Sequence, residues 1–96
     1  MSKTLSTIIV DDELHAVETL AWKLERFYPE VEILEKFTDS SDALEFLQQH
    51  PIDLIFLDIE MPRLNGFELL AALEQVDFGV IFTPMFLLIK SLTSFV

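Results

Sequence analysis

The chain has 96 residues, of which 51% are hydrophobic, and a formal net charge of −11. That length fits one small domain, and so apolar a chain is expected to fold around a core rather than stay disordered. Six Lys and Arg scattered among seventeen Asp and Glu make no basic patch, which excludes nucleic-acid binding by this chain alone; the absence of cysteine excludes disulfides and thiolate metal sites. The N-terminal MSKTLSTIIVDDE has no pattern of a secretory leader, and a cytoplasmic location is expected.

Residues 4–10, TLSTIIV, are rich in β-branched side chains and predict a buried strand running into Asp11-Asp12-Glu13. From Leu14 the period becomes helical: Leu14, Val17, Leu20, Ala21, Leu24 and Phe27 read as one face. Glu13 and Glu18 near the start and Lys23 and Arg26 near the end suit the helix dipole, and Pro29 stops the helix. Trp22 falls beside the stripe and is expected to pack. Residues 31–37 open with Glu32 between Val31 and Ile33, the alternation of a less buried strand at a sheet edge.

Asp39-Ser40-Ser41 offers capping oxygens for a second helix reaching His50, with Ala43, Leu44 and Leu47 inward. After Pro51, IDLIFLD (52–58) reads as a third strand, and GFELLAALE (66–74) as a third helix with Phe67, Leu70 and Leu73 as its stripe. VIFT (80–83) is a fourth strand. His15 and His50 have no partners at metal-ligand spacing and are expected to face solvent or cap; Glu30, Glu32 and Glu35 read as a solvated face. The remaining stretch is apolar with a single charge, Lys90, and is too short and too interrupted by Pro84 for a membrane span.

Strands alternating with helices imply an α/β domain, a parallel sheet with helices on both faces. Ligands of such sheets sit beyond the carboxyl ends of the strands. Asp11 and Asp12 end strand one and Asp58 ends strand three, so an order of 2-1-3-4 would bring all three carboxylates together. Their repulsion calls for raised pKa values or a bound cation. Mg²⁺ suits such a site, and a carboxylate beside it could act as a nucleophile and form an aspartyl-phosphate. Simpler readings stay open: Asp11 or Asp12 as the N-cap of the first helix, and Asp58 as the start of a turn bent at Asn65-Gly66. Capping alone explains each acid singly better than it explains all three.

IIVDDELHAVETL and LIFLDIEMPRLNGFELL resemble the two signature stretches of the response-regulator receiver domain, the second containing the whole D-x-x-M-P-x-x-N/D-G-F/Y pattern. Strand one and VIFT are similar to receivers that precede LytTR-type DNA-binding domains. The resemblance covers residues 4 to about 83 and implies a three-layer, flavodoxin-like fold. It also implies that Asp58 accepts a phosphoryl group from a histidine kinase. Mg²⁺ would be held by Asp12 and Asp58 directly, by Asp11 through water and by the backbone carbonyl of Glu60, whose side chain would border the site. Met61-Pro62 and Asn65-Gly66 would shape the loop, with Gly66 opening the third helix without a side chain in the way.

Receivers also carry a switch hydroxyl at the end of strand four and a lysine at the end of strand five. Aligned on VIFT, the hydroxyl position is Pro84; a slip of one residue would make it Thr83. Lys90 does not stand in the family's Lys-Pro setting, so no catalytic lysine is assigned. The chain resembles a receiver cut short, with the fifth strand missing or replaced: residues 1–84 a partial receiver domain and 85–96 an atypical apolar tail. Strand four would then lie at the sheet edge. Phe82 and residues 85–89 would cover the exposed surface or pair with another chain, and self-association is expected.

The leading expectation is therefore a phosphoacceptor switch that binds Mg²⁺, not a turnover enzyme, with a DNA-binding output domain only in a full-length relative. A phosphorylation-independent interaction module is the second reading. A Mg²⁺-dependent phosphohydrolase using Glu60 as acid or base is a third, disfavoured by the intact Met-Pro and Asn-Gly pattern.

Overall fold

The computed structural model describes residues 4–83. Four strands and three helices alternate: β1 (Leu5–Val10), α1 (Leu14–Phe27), β2 (Val31–Phe37), α2 (Ser40–Gln49), β3 (Leu54–Leu57), α3 (Gly66–Ala71) and β4 (Gly79–Phe82). The strands form one parallel sheet in the order β2-β1-β3-β4. This is the three-layer order expected above. Among the described residues β2 and β4 are the edges.

Period-two alternation along the central strands sorts the core into two layers. Ile8, Val10, Ile55 and Leu57 point to one face, where Ala43 of α2 and Leu69 of α3 close over them. Ile9 and Phe56 point to the other, against Val17, Leu20, Ala21 and Leu24 of α1. Burial on both faces is why β1 and β3 read as nearly continuous apolar runs, whereas β2 alternates and is half exposed. Pairing of β1 with β2 slips by one residue after Thr7, which passes over Leu34 and leaves it exposed.

Several side chains depart from the expected stripes. Leu14 and Phe27 are 59% and 54% exposed. At about 100° per residue, each lies roughly 70° from the centre of the Val17–Leu24 stripe, on opposite flanks. Trp22 is on the far side of the helix and 57% exposed; its ring meets Phe27 edge-on at 6.3 Å, and the Arg26 guanidinium lies 5.8 Å from its centroid. The third helix stops at Ala71, short of the expected residue 74, and buries Gly66 and Leu69 instead of Phe67. Phe67 is turned toward β4, its ring 5.2 Å from that of Phe82. His50 ends α2 with its ring stacked 4.2 Å from Phe46 and Nδ1 3.1 Å from the Phe46 carbonyl, the end-of-helix role expected of it.

Candidate functional site at the carboxyl ends of β1 and β3

Parallel pairing fixes the site. Val10 lies opposite Leu57, so the residues that follow, Asp11 and Asp58, leave adjacent strands at the same level. Backbone bonds carry the register past the strand ends: Asp58 N–H donates to the Val10 carbonyl at 2.9 Å, and Asp11 N–H to the Phe37 carbonyl at 3.0 Å. Asp11, Asp12 and Asp58 each present a carboxylate oxygen, and these oxygens lie within 4.8 Å of one another. Asp11 is 9% exposed, Asp58 half-buried and Asp12 exposed, so the cluster runs from the buried strand end out to solvent.

Capping does not account for the acids. The N-cap of α1 is Glu13, whose carboxylate accepts from Ala16 N–H at 2.7 Å. Asp11 only steadies the approach to the helix, its Oδ1 accepting from Glu13 N–H at 2.9 Å. The simpler reading of Asp11 or Asp12 as the cap of α1 is therefore set aside. Nor is Asn65-Gly66 a tight bend of the kind that needs a left-handed residue, because neither has a positive φ. Asn65 caps α3 in a reciprocal capping box: its Oδ1 accepts from Glu68 N–H, and Glu68 Oε1 accepts from Asn65 N–H, both at 2.9 Å. The Asn-x-x-Glu spacing in the sequence carries that signal. The left-handed residue of the loop is Arg63, at φ 69°.

Gly66 is needed for closeness. A Cβ there would stand 2.6 Å from the Asp58 carbonyl oxygen and 3.1 Å from Ile59 Cα. Its N–H donates to the Ile59 carbonyl at 2.8 Å, so the first turn of α3 is clamped directly onto the backbone that carries Asp58. Buried Met61 anchors the same loop in the α2–α3 layer.

Electrostatics follow from this crowding. Burial raises the Asp58 carboxyl above its ordinary range, and the charges of Asp11 and Asp12 push it further; backbone N–H groups of Glu60 and Ile59 pull the other way. Burial likewise raises Asp11, opposed by its bond to Glu13 N–H and reinforced by Asp12. A compact set of three hard oxygen donors whose charges repel one another is what a small divalent cation neutralises, so the residues fit Mg²⁺ in donor type and charge. Glu60 follows two residues after Asp58 with its side chain exposed.

Thr83 is buried, and the β3–β4 register places it one residue past the Leu57–Phe82 pair, in step with Asp58. It shares a cavity of about 250 Å³ with Asp11. Pro84, the other position for the switch hydroxyl, lies outside the described residues, as do Lys90 and the rest of the tail.

The family model described as the response regulator receiver domain matches residues 7–86. The chain belongs to the response-regulator receiver family. Over 71 residues it is 39% identical to the transcriptional regulatory protein YpdB of Escherichia coli K12, an alignment covering 74% of this chain and 29% of that protein. It is 42% identical over 72 residues to the sensory transduction protein LytT of Bacillus cereus, covering 75% and 29%. The crystal structure of the response regulatory domain of protein mrkE from Klebsiella pneumoniae superposes with a TM-score of 0.72 at 36% identity, over 81% of this chain and 65% of that one. The chain thus spans under a third of the length of these two curated relatives. Receiver domains act in two-component signalling, generally as non-enzymatic switches with a histidine kinase as the kind of partner that phosphorylates them. No helix among the described residues is long and apolar enough to cross a membrane.

Proposed function

We propose that this receiver domain takes a phosphoryl group on Asp58 from the phosphohistidine of a kinase. The observation that carries this reading is the convergence of the Asp11, Asp12 and Asp58 oxygens within 4.8 Å at the ends of two adjacent strands. Asp58 is held by the Val10 carbonyl on one side and by the Gly66 clamp on the other, so its carboxylate meets the incoming phosphorus without reorganising. A carboxylate oxygen bonds to phosphorus while the P–N bond to the imidazole breaks, and the departing nitrogen takes a proton from solvent. Mg²⁺, held by Asp11, Asp12, Asp58 and the Glu60 carbonyl, would supply positive charge to the oxygens of the transferring group.

Thr83 is the better-supported position for the switch hydroxyl, since it is in register with Asp58 and lines a cavity with Asp11. A cytoplasmic location suits a partner kinase that draws on ATP. The name of the Escherichia coli relative supports a transcriptional output in longer proteins of this kind, where a separate domain would contact DNA. Residues 1–84 would be the receiver portion and 85–96 the tail. The edge of β4, unpaired among the described residues, favours a second reading, a module that binds partners without phosphorylation. Self-association through the C-terminal region would belong to that reading.

Incubation with Mg²⁺ and a small acyl-phosphate donor, followed by intact mass, separates the two. The first reading expects one phosphoryl adduct on the parent and none on Asp58→Asn. A folded parent that gains no adduct would overturn it and leave the interaction module.

A further inference from the structure

Three acids fill the gap between the end of β1 at Val10 and the start of α1 at Leu14, and each is held differently. Asp11 is buried, with Oδ1 accepting from Glu13 N–H at 2.9 Å. Asp12 is exposed and gives its carboxylate to the cluster with Asp11 and Asp58. Glu13 is pinned twice as the N-cap of α1: its carboxylate Oε2 accepts from Ala16 N–H at 2.7 Å, and its carbonyl from Val17 N–H at 3.2 Å. An N-cap is more usually Ser, Thr, Asp or Asn. Asp12 is of that kind but stands one residue too early, so the longer glutamate side chain reaches the third helical N–H in its place.

We propose that Glu13 is a positioning residue of the cation site: by capping α1 with its side chain it holds its own N–H on Asp11, fixes the rotation of that carboxylate beside Asp58, and leaves Asp12 to the cluster. The hydrogen bond to Oδ1 selects one setting of the Asp11 side chain from the three staggered wells about χ1. The cap at Glu13 also keeps the helix from starting one residue earlier, where Asp12 would turn its carboxylate onto the first helical N–H groups and away from Asp11 and Asp58. One side chain thus sets two of the three carboxylates, although it contributes no oxygen to the cluster itself.

Glu13 also brings a charge. Burial raises the Asp11 carboxyl most, and the charges of Asp12 and Glu13 add to it. A role through charge and a role through capping therefore separate by substitution. Glu13→Gln removes the charge and keeps an oxygen of the same reach for Ala16 N–H, whereas Glu13→Ala removes both. Groups that orient a ligand without touching the ion are typically worth about tenfold or more in metal affinity. The role rests on the reading of Asp11, Asp12 and Asp58 as a cation site, so one measurement is made without metal.

The test is an amide NMR titration of the isotope-labelled full chain with magnesium chloride, joined to three-bond couplings that give the Asp11 χ1 populations in chelator. Glu13→Ala should weaken Mg²⁺ binding by about tenfold or more. Glu13→Gln should stay within about threefold of the parent, the small effect of one exposed charge. In chelator, Asp11 should hold one χ1 setting in the parent and in Glu13→Gln, and several in Glu13→Ala. Equal weakening in both variants would make Glu13 a charge and no more, and unchanged affinity in Glu13→Ala would leave it a helix cap alone; either overturns the proposal. A parent that binds no Mg²⁺ would overturn the cation site itself, and the couplings would still decide whether Glu13 sets Asp11: averaging in the parent, or no change in Glu13→Ala, overturns it. Glu13→Met, with the stem kept and the carboxylate lost, replaces Glu13→Ala should that variant not fold, which the amide spectra report directly.

Discussion

Asp58→Asn should stabilise the protein when no divalent cation is available. The carboxylate oxygens of Asp11, Asp12 and Asp58 lie within 4.8 Å of one another. Two unit charges at that distance repel by about 3.5 kcal/mol at an effective dielectric constant of 20, and by about 0.9 kcal/mol in bulk water. Asp58 is half-buried and Asp12 exposed, so solvent screening moves the value toward the lower figure. Removing the Asp58 charge relieves repulsion from both neighbours, for a gain of about 1 kcal/mol or more, read in chelator at neutral pH as a Tm rise of about 4–8 °C in a domain of this size. The sign follows from linkage. The folded-state pKa of Asp58 lies above its value in an unfolded chain, as does that of Asp11. Their contribution to stability is present below the ordinary carboxyl range and is lost as pH rises through the raised folded values. The parent in chelator should therefore lose stability on that climb, and Asp58→Asn should lose less. Mg²⁺ should reverse the ranking, stabilising the parent by about 2.7 kcal/mol at one hundred times its Kd while shifting the variant less. Thermal unfolding by circular dichroism, in chelator and in Mg²⁺ across pH, reads all of this. A lower Tm for Asp58→Asn in chelator would refute the reasoning, since Asp58 would then be a structural acceptor rather than one of three crowded charges. An equal Mg²⁺ shift in both proteins would refute the metal assignment.

Gly66→Ala should cost about 1–3 kcal/mol, because its Cβ meets the Asp58 carbonyl at 2.6 Å and that backbone cannot yield without moving the acceptor. In samples still folded, the yield of phosphoryl adduct should fall with it; unchanged stability in urea denaturation would contradict the close approach. Arg63→Gly should gain about 0.5–1 kcal/mol, because a side chain at φ 69° carries left-handed strain that glycine lacks, less glycine's greater unfolded-state entropy. A urea midpoint that falls with unchanged slope would show that the Arg63 side chain contributes more than its backbone costs.

The sequence was most informative where one force dominates. Strand ends were legible because burial on both faces demands unbroken apolar runs, and a carboxylate after such a run marks where the sheet stops. The edge character of Val31–Phe37 was legible for the converse reason, since half of that strand faces water. The role of Gly66 came from the family resemblance, and the approach of a Cβ there to 2.6 Å from the Asp58 carbonyl oxygen supplies its physical reason. The capping box at Asn65 and Glu68 was readable in the spacing but overshadowed by the Asn-Gly pair, which more commonly signals a turn.

Illegible features required a third dimension that periodicity does not supply. A list of apolar positions three and four apart does not say where the buried arc ends, so Leu14 and Phe27 were counted inside a stripe whose flanks they occupy. Strand order is absent from the pattern of any single element: β1 borders β3 because a crossover returns the chain there, and only the family resemblance carried that order. The acid cluster depends wholly on it. In sequence Asp12 and Asp58 are 46 residues apart, and each admits a humbler local reading; their proximity appears once two parallel strands end side by side. The same geometry explains why the end of β4 matters. Whatever occupies the α1 side beyond Thr83 sits against Asp11 as well as against the sheet, so coverage of the edge and the state of the acid pocket are adjacent in space.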